Sequence, residues 1–195
     1  MADPSRPPSE NQASPLAGTT TYLTGHDPKT GHAIVHSSRP PAWKPYENNV
    51  MGMGVVYTTS FPANLTDDTD IATHDKLLSS EKLGLVNPGG TVCRTVDFSP
   101  GYECMMHRTQ SLDFGIVVEG EVEMVLDSGE VRVMKRGDVA VQRATMHAWR
   151  NTSETEWARM IFVLQDCQKP LVGGKALGED LGRGVEGLPA SGHSS

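Results

Sequence analysis

The sequence predicts an all-β domain, built as an antiparallel sandwich or barrel. Many short segments rich in β-branched and aromatic residues follow one another at regular spacing. Turn signals separate these segments at NPGG, SPG, DSGE and KRGD. Only one core segment has leucines at helical spacing, so helices should contribute little to the core.

Three predicted strands precede the helix candidate. They are TYLTG (21–25), HAIVHSS (32–38) and GMGVVYTTSF (52–61), each with glycine or proline near its ends. The helix candidate spans 70–86, where Leu77, Leu78 and Leu83 recur at loosely helical spacing. His74 has no clear partner in this segment and is expected at the surface or in a loop.

The second half of the chain is predicted to be almost entirely β. Its strand segments are 91–98, 114–129, 130–142, 147–151 and 157–165. Within GEVEMVLD, alternation places Val122, Met124 and Leu126 on one face and Glu121 and Glu123 on the other.

The length of 195 residues fits one domain, which we place at residues 19–168. Residues 1–18 are rich in proline, serine and polar groups, a composition typical of a disordered tail. Residues 169–195 are expected to be mostly flexible, with one possible helical turn over 175–182.

The charge and composition of the chain argue against nucleic acids and membranes as binding partners. Seventeen basic and twenty-four acidic residues give a net charge of −7, so an acidic surface repels nucleic acid. No apolar run approaches the roughly 20 residues that span a bilayer, and no basic cluster suggests a membrane surface. The N-terminus lacks a secretory h-region and the three cysteines form no CxxC pair, which favours reduced thiols and a cytoplasmic location.

Two motifs resemble those of the cupins, a family of small jelly-roll β-barrels. Gly101, His107, Thr109, Asp113 and Gly120 fall on the spacing of the first cupin motif. The segment GDVAVQRATMHAWRN resembles the second motif and supplies Gly137, Asp138, His147 and Asn151, although the proline and glycine of its loop are missing and the loop is about a residue shorter. The resemblance covers about residues 88–165. It implies a cupin-type jelly-roll barrel with extra N-terminal strands, in a homodimer.

The resemblance also implies a site. In the family, two histidines and a glutamate of the first motif bind one metal ion together with the histidine of the second. Here His107 and His147 match, Asp113 replaces the glutamate, and Thr109 replaces the second histidine. Two histidines and a carboxylate can hold Fe(II), Zn or Mn with open positions for substrate or water.

Two other interpretations of these residues stay open. In a metal-free pocket, His107 or His147 moves protons, Asp113 orients one imidazole and raises its pKa, and Thr109 hydrogen-bonds the ligand. Alternatively, each histidine is an ordinary hydrogen-bonded core residue.

Arg94 is the next candidate, because it shares a strand face with apolar residues and must find a partner or reach water. It can clamp a substrate carboxylate or enolate, or it can pair with Asp97 or Glu103. Trp149 should face the same side of its strand as His147, either as a wall for a substrate ring or as a core residue. Three more aromatic residues are candidates for the barrel mouth: Trp43, Tyr57 and Phe61.

The motif segments look like those of small single-domain fungal cupins linked with secondary metabolism. That resemblance implies a lyase (dehydratase or decarboxylase), or a cyclase or isomerase, acting on a polyketide-like or hydroxy- or keto-acid compound. Two alternatives are an Fe(II)-dependent dioxygenase and a non-catalytic module that binds a small ligand.

Overall fold

The computed structural model describes residues 5–193. It contains a 3-10 turn at Thr66–Asp68 and one helix, α1, at Thr69–Ser79. In chain order the strands are β1 (Thr21–His26), β2 (Ala33–Arg39), β3 (Ala42–Tyr46), β4 (Met51–Ser60), β5 (Gly90–Phe98), β6 (Ser111–Glu119), β7 (Glu121–Leu126), β8 (Val131–Lys135), β9 (Val139–Arg143), β10 (His147–Asn151), β11 (Ala158–Asp166), β12 (Leu171–Val172) and β13 (Lys175–Ala176).

Two antiparallel sheets form the body of the jelly roll. One has six strands in the order β3-β4-β5-β11-β6-β9, and the other has three in the order β10-β7-β8. Alternation turns one face of each sheet inward, so Val96, Met160 and Val117 lie side by side on β5, β11 and β6 in the core. Gly115 is the inward residue beside Phe162, and a Cβ at this glycine would lie 2.9 Å from the Phe162 ring.

The all-β prediction is confirmed, with local differences. The segment 114–129 divides into β6 and β7 at Gly120, which adopts a left-handed φ of 76°. Strand β3 has no clear strand pattern in the sequence, because Pro41 and Pro45 interrupt it. Its proline is tolerated because β3 is an edge strand.

Helix α1 is shorter than the predicted 70–86 and ends at Ser79. Beyond it, Leu85 and Val86 are buried in the barrel core, so packing against the sheets sets the path of this segment. Among residues 5–193, no helix is both long enough and apolar enough to cross a bilayer.

The described parts of both predicted tails pack against the domain. Buried Ser14 donates a hydrogen bond to Asp97, and the carbonyl of Ala17 accepts one from Arg159 at 2.6 Å. Residues 1–4 and 194–195 of those tails lie outside the described part of the chain.

The C-terminal segment corrects two expectations. The predicted helical turn over 175–182 is absent, and Lys175–Ala176 instead pairs with Leu171–Val172 in a small hairpin. Val185 and Leu188 then pack against the core, and Ser191 is buried with its N–H donating to Glu179 at 2.9 Å. The expectation of a mostly flexible segment missed these contacts because they join residues far apart in the chain. The division of the chain at residues 18 and 168 stays a prediction.

Candidate active site

The two motif histidines lie directly opposite each other. His107 and His147 exchange both backbone hydrogen bonds at 2.8 Å, in an antiparallel bridge. Opposite residues of such a pair project to the same face, and the two ring centroids lie 4.4 Å apart. The chain pairing between the two motifs therefore creates the histidine pair.

Backbone carbonyls fix the tautomer of both rings. Nδ1 of His107 lies 2.8 Å from the Met105 carbonyl, and Nδ1 of His147 lies 2.9 Å from the Thr145 carbonyl. A carbonyl only accepts, so each neutral ring carries its proton on Nδ1 and a lone pair on Nε2. Burial lowers the pKa of His107, and burial together with the neighbouring His107 lowers the pKa of His147 to about 3. Both rings are therefore neutral at pH 7.

Asp113 faces the same cavity from the six-stranded sheet. Thr109 donates to its Oδ2 at 3.0 Å, and Ser111 donates to its Oδ1 at 2.5 Å. Burial raises the pKa of Asp113 to about 6, although these two hydrogen bonds and Arg94 oppose the rise. The expectation that Asp113 orients an imidazole and raises its pKa is wrong, because its bonds go to the two hydroxyls and the imidazole pKa values fall. Thr109 supports this carboxylate and does not line the cavity.

Arg94 is buried on β5 and makes neither of the ion pairs considered from the sequence. Asp97 pairs with Arg159, and Glu103 pairs with Arg150. The guanidinium of Arg94 instead donates from Nη2 to the carbonyls of Gly84 at 2.8 Å and Leu85 at 2.9 Å. Burial lowers the pKa of Arg94 to about 10, so the side chain remains charged at neutral pH.

These groups share one cavity of about 60 Å³ between the two sheets. A water needs roughly 10–15 Å³ of such space, so the cavity holds about four to six waters or one very small molecule. The polar lining consists of Arg94, Cys104, His107, Asp113 and His147, and the remaining lining is apolar. Burial raises the pKa of the Cys104 thiol to about 12, so it is a protonated, unreactive part of the wall.

The aromatic candidates occupy different places. Trp149 lines the cavity, with its ring edge-on to His147 at 5.5 Å. Trp43 instead packs against the Arg159 guanidinium, the Tyr57 hydroxyl donates to Asp70 at 2.5 Å, and Phe61 is 53% exposed. None of these three lines the inner cavity, although Trp43 lines a neighbouring cleft that Arg94 also borders.

Several residues that line the cavity are not predicted by any sequence motif. They are chiefly thioether and aliphatic side chains from distant parts of the chain: Met51, Met53, Leu85, Met105, Val185 and Leu188. Their pattern is that of any core residue, and no local motif marks them.

The residues do not assemble the three-ligand metal set that the family resemblance implies. The two Nε2 lone pairs are suitable metal ligands. The Asp113 carboxylate accepts its hydrogen bonds from Thr109 and Ser111, whereas the imidazole Nδ1 atoms point to backbone carbonyls. Within residues 5–193, no group of three or more His, Cys, Asp and Glu side chains is arranged to hold a metal ion.

Comparison with known proteins identifies the class. The cupin domain family model matches residues 94–164, which contain both motifs and all four charged or imidazole groups of the site: Arg94, His107, Asp113 and His147. The chain is 42% identical over 191 residues to phomopsin biosynthesis cluster protein D of Diaporthe leptostromiformis, covering 95% of this chain and 98% of that protein. It is 35% identical over 179 residues to the cupin-domain-containing oxidoreductase srdB of Neurospora crassa, covering 91% and 89%.

A third relative is the oryzines biosynthesis cluster protein J of Aspergillus oryzae, which is 49% identical over 123 residues, covering 63% of this chain and 68% of that protein. The two antiparallel sheets and the polar cavity between them are those of a jelly-roll barrel protein with an internal site. The chain belongs to the cupin family.

Proposed function

We propose that the protein is a biosynthetic enzyme of secondary metabolism, a lyase or isomerase that moves a proton on a small keto or hydroxy compound inside the barrel. The observation that carries the proposal is Asp113, a buried carboxyl group in the cavity whose pKa lies near 6. A proton carrier works best when its pKa is close to the working pH. The names of the relatives from phomopsin and oryzine biosynthesis support the biosynthetic setting.

Asp113 is better suited to this role than either histidine. Both imidazoles offer only an Nε2 lone pair, and burial disfavours their protonated forms, so they are weak bases. Their lone pairs can accept hydrogen bonds from substrate hydroxyl groups. We therefore assign proton transfer to Asp113 and substrate orientation to His107 and His147.

The reaction needs only one proton carrier. Ionised Asp113 takes a proton from the carbon beside a substrate carbonyl, and the C–H electron pair becomes that of an enolate. The carboxyl group then returns the proton. Delivery to a neighbouring hydroxyl releases water and forms a C=C bond, whereas delivery to a different carbon gives an isomer.

Hydrogen exchange tests this step with levulinate, a small keto acid, as the probe. In D₂O followed by proton NMR, the protein should accelerate exchange of the protons beside the ketone, and Asp113→Asn should slow it by about 10²-fold or more. The rate should rise with pH through about 6 and then level off, because the ionised carboxylate is the base.

Asp127→Asn is the matched control, since Asp127 is an exposed carboxylate outside the cavity. This variant should exchange levulinate protons at the wild-type rate. Equal rates for Asp113→Asn and the wild type would refute the assignment.

Oxidation is a second candidate function, favoured by the name of the Neurospora crassa relative. An oxygen electrode distinguishes the two candidates. Uptake of O₂ with levulinate and added Fe(II), dependent on His107 and His147, would favour oxidation. Proton exchange without O₂ uptake would favour the lyase or isomerase.

A further inference from the structure

Two arginines of this protein are equally buried but differ in their partners. Arg159 is 3% exposed, and its Nε and Nη2 both donate to the carboxylate of Asp97, at 2.6 and 2.7 Å. Arg94 is 4% exposed, yet no carboxylate of residues 5–193 lies within ion-pair distance of it. A buried charge without a counter-ion is costly, by several kcal/mol in typical proteins. The fold therefore retains a cation without a directly paired carboxylate, which Asp113 influences only from beyond ion-pair distance.

The hydrogen bonds of Arg94 leave donors free. A guanidinium has five N–H donors. Nη2 uses the Gly84 and Leu85 carbonyls, and Nη1 faces the Met53 thioether at 3.5 Å, a weak acceptor. Nε is buried and has no hydrogen-bond partner. Because Arg94 also lines the cavity that contains Asp113 and the histidines, this donor capacity lies at the candidate active site.

Arg94 also borders a second space on the other side. This outer cleft is lined by Trp43, Tyr46 and Lys44 among others, and Met53 and Arg94 belong to the lining of both spaces. The guanidinium thus stands between an outer cleft that carries a lysine and the inner cavity. The lining of the outer cleft also contains the Glu81 carboxylate, and the Lys44 ammonium donates to the Gly187 carbonyl at 2.9 Å.

We infer that Arg94 binds the carboxylate of the substrate, and that the substrate is accordingly a small carboxylic acid with an apolar body. This inference rests on the proposed function and adds the substrate class to it. A ligand carboxylate would give Arg94 the counter-ion that Asp97 gives Arg159. The apolar body follows from the rest of the lining, where Phe162, Leu164 and Val96 have no hydrogen-bonding group to offer a polar chain.

The strand register also sets the separation between Arg94, which would bind the substrate carboxylate, and Asp113, which would act on the reacting carbon. Arg94 on β5 is paired with Phe162 on β11, and Asp113 on β6 is paired with Leu164, so one strand and two register positions separate the two groups. Holding the substrate acid at Arg94 places the carbons beyond it towards Asp113. The ionised Asp113 is then kept apart from the substrate charge.

Arginine side-chain NMR tests the inference without turnover. The probe is propionate, with propionamide as its neutral counterpart and chloride as a simple anion. Propionate should shift the Arg94 Nε–H resonance of the ¹⁵N-labelled protein saturably, and propionamide should bind at least about tenfold more weakly. Chloride should give no saturable shift.

Substitutions of Arg94 test whether propionate binds at this residue. Arg94→Met should weaken propionate binding about tenfold or more, and Arg94→Lys should weaken it less because the charge is kept. Arg132→Lys, at an exposed arginine, should bind as the wild type does. If Arg94→Met fails to fold, the wild-type titration and Arg94→Lys still decide the question.

Three results would overturn the inference: no saturable shift of the Arg94 resonance, equal binding of propionamide or chloride, or unchanged propionate binding in a folded Arg94→Met protein. Asp113→Asn separates this inference from the proposed function. It should lose proton exchange while binding propionate at least as tightly as the wild type, since it removes a nearby negative charge. Failure of exchange alone would refute the proposed function and leave the carboxylate site standing.

Discussion

At the scale of single residues, burial decides the chemistry of each ionisable group. Desolvation lowers the pKa of His147 to about 3 and raises that of Asp113 to about 6, so two residues of one cavity shift in opposite directions. The carboxyl group thereby becomes the proton carrier near neutrality, although the imidazoles have the more suitable pKa in water. From residue type alone, the histidines would be the proton carriers and Asp113 would be a permanently ionised carboxylate.

The Asp97–Arg159 pair gives a prediction of stability. Asp97 is fully buried and accepts hydrogen bonds from Arg159 and from Ser14. Asp97→Asn should lower the free energy of unfolding by about 3–5 kcal/mol, because it leaves the Arg159 charge buried without its counter-ion. Urea denaturation measures this loss.

The exposed pair of Glu119 and Arg136 is the control for that prediction. Glu119→Gln should cost less than about 1 kcal/mol, because water screens an exposed ion pair. A similar small cost for Asp97→Asn would show that the buried pair is not a major contribution to stability.

At the scale of elements, helix α1 is attached to β4 through a neutral histidine. His74 is buried, and the backbone N–H of Thr58 donates to its Nδ1 at 3.1 Å. Burial, together with the charge of Arg39, lowers the pKa of His74, while Asp75 and Asp70 oppose this effect. An imidazolium would lose the acceptor at Nδ1, so protonation works against the docking of the helix.

The sign of the pH effect follows from that lowered pKa. The His74 contribution to stability is complete above the unfolded value near 6.5 and is lost as the pH falls towards the folded pKa, because the unfolded chain binds the proton first. His74→Asn keeps an acceptor for Thr58 but does not titrate. The free energy of unfolding of the wild type should therefore fall more steeply than that of His74→Asn below pH 6.5, by at most about 1.4 kcal/mol per pH unit. Urea denaturation at several pH values checks this, and identical slopes would contradict it.

The elements also show how far sequence reasoning reaches. Alternation and turn signals identify most strands because each is a local pattern, and motif spacing brings His107, His147 and Asp113 to one cavity. His74 is buried although the sequence predicts a surface or loop position, because its partner Thr58 lies on β4, outside its own helix. Val185 and Leu188 carry no local signal either, because their contacts come from folding a glycine-rich segment back over the barrel.

At the scale of the whole molecule, two of the exposed apolar surfaces within residues 5–193 lie on sheet edges that could pair with another chain. On the outer side of the six-stranded sheet, Phe114, Val139 and Val141 are 39%, 54% and 52% exposed around the edge strand β9. The β1–β2 hairpin is a separate two-stranded sheet with Tyr22 and Val35 each 63% exposed. A lone hairpin is marginally stable in water. An exposed edge strand with an apolar face is also a site for pairing with another chain.

We propose that a second copy of the chain covers both surfaces in a homodimer. In a two-fold dimer each copy presents the same surfaces to the other. The hairpin of each chain can therefore pack against the β9 face of its partner, and this contact occurs twice in the dimer. Each copy carries the net charge of −7, so the apolar contact must outweigh a like-charge repulsion that salt screens. The dimer should accordingly become tighter as the ionic strength rises.

Light scattering after size-exclusion chromatography tests this dimer. The wild type should elute with twice the mass of the 21.1 kDa chain, and Val141→Lys should shift it to the monomer, because a lysine charge would be buried at the contact. Val133→Lys is the matched control, since Val133 is 51% exposed on β8 of the other sheet and should leave the dimer intact. A monomeric wild type would refute the dimer. Dissociation by Val133→Lys but not by Val141→Lys would move the contact to the three-stranded sheet.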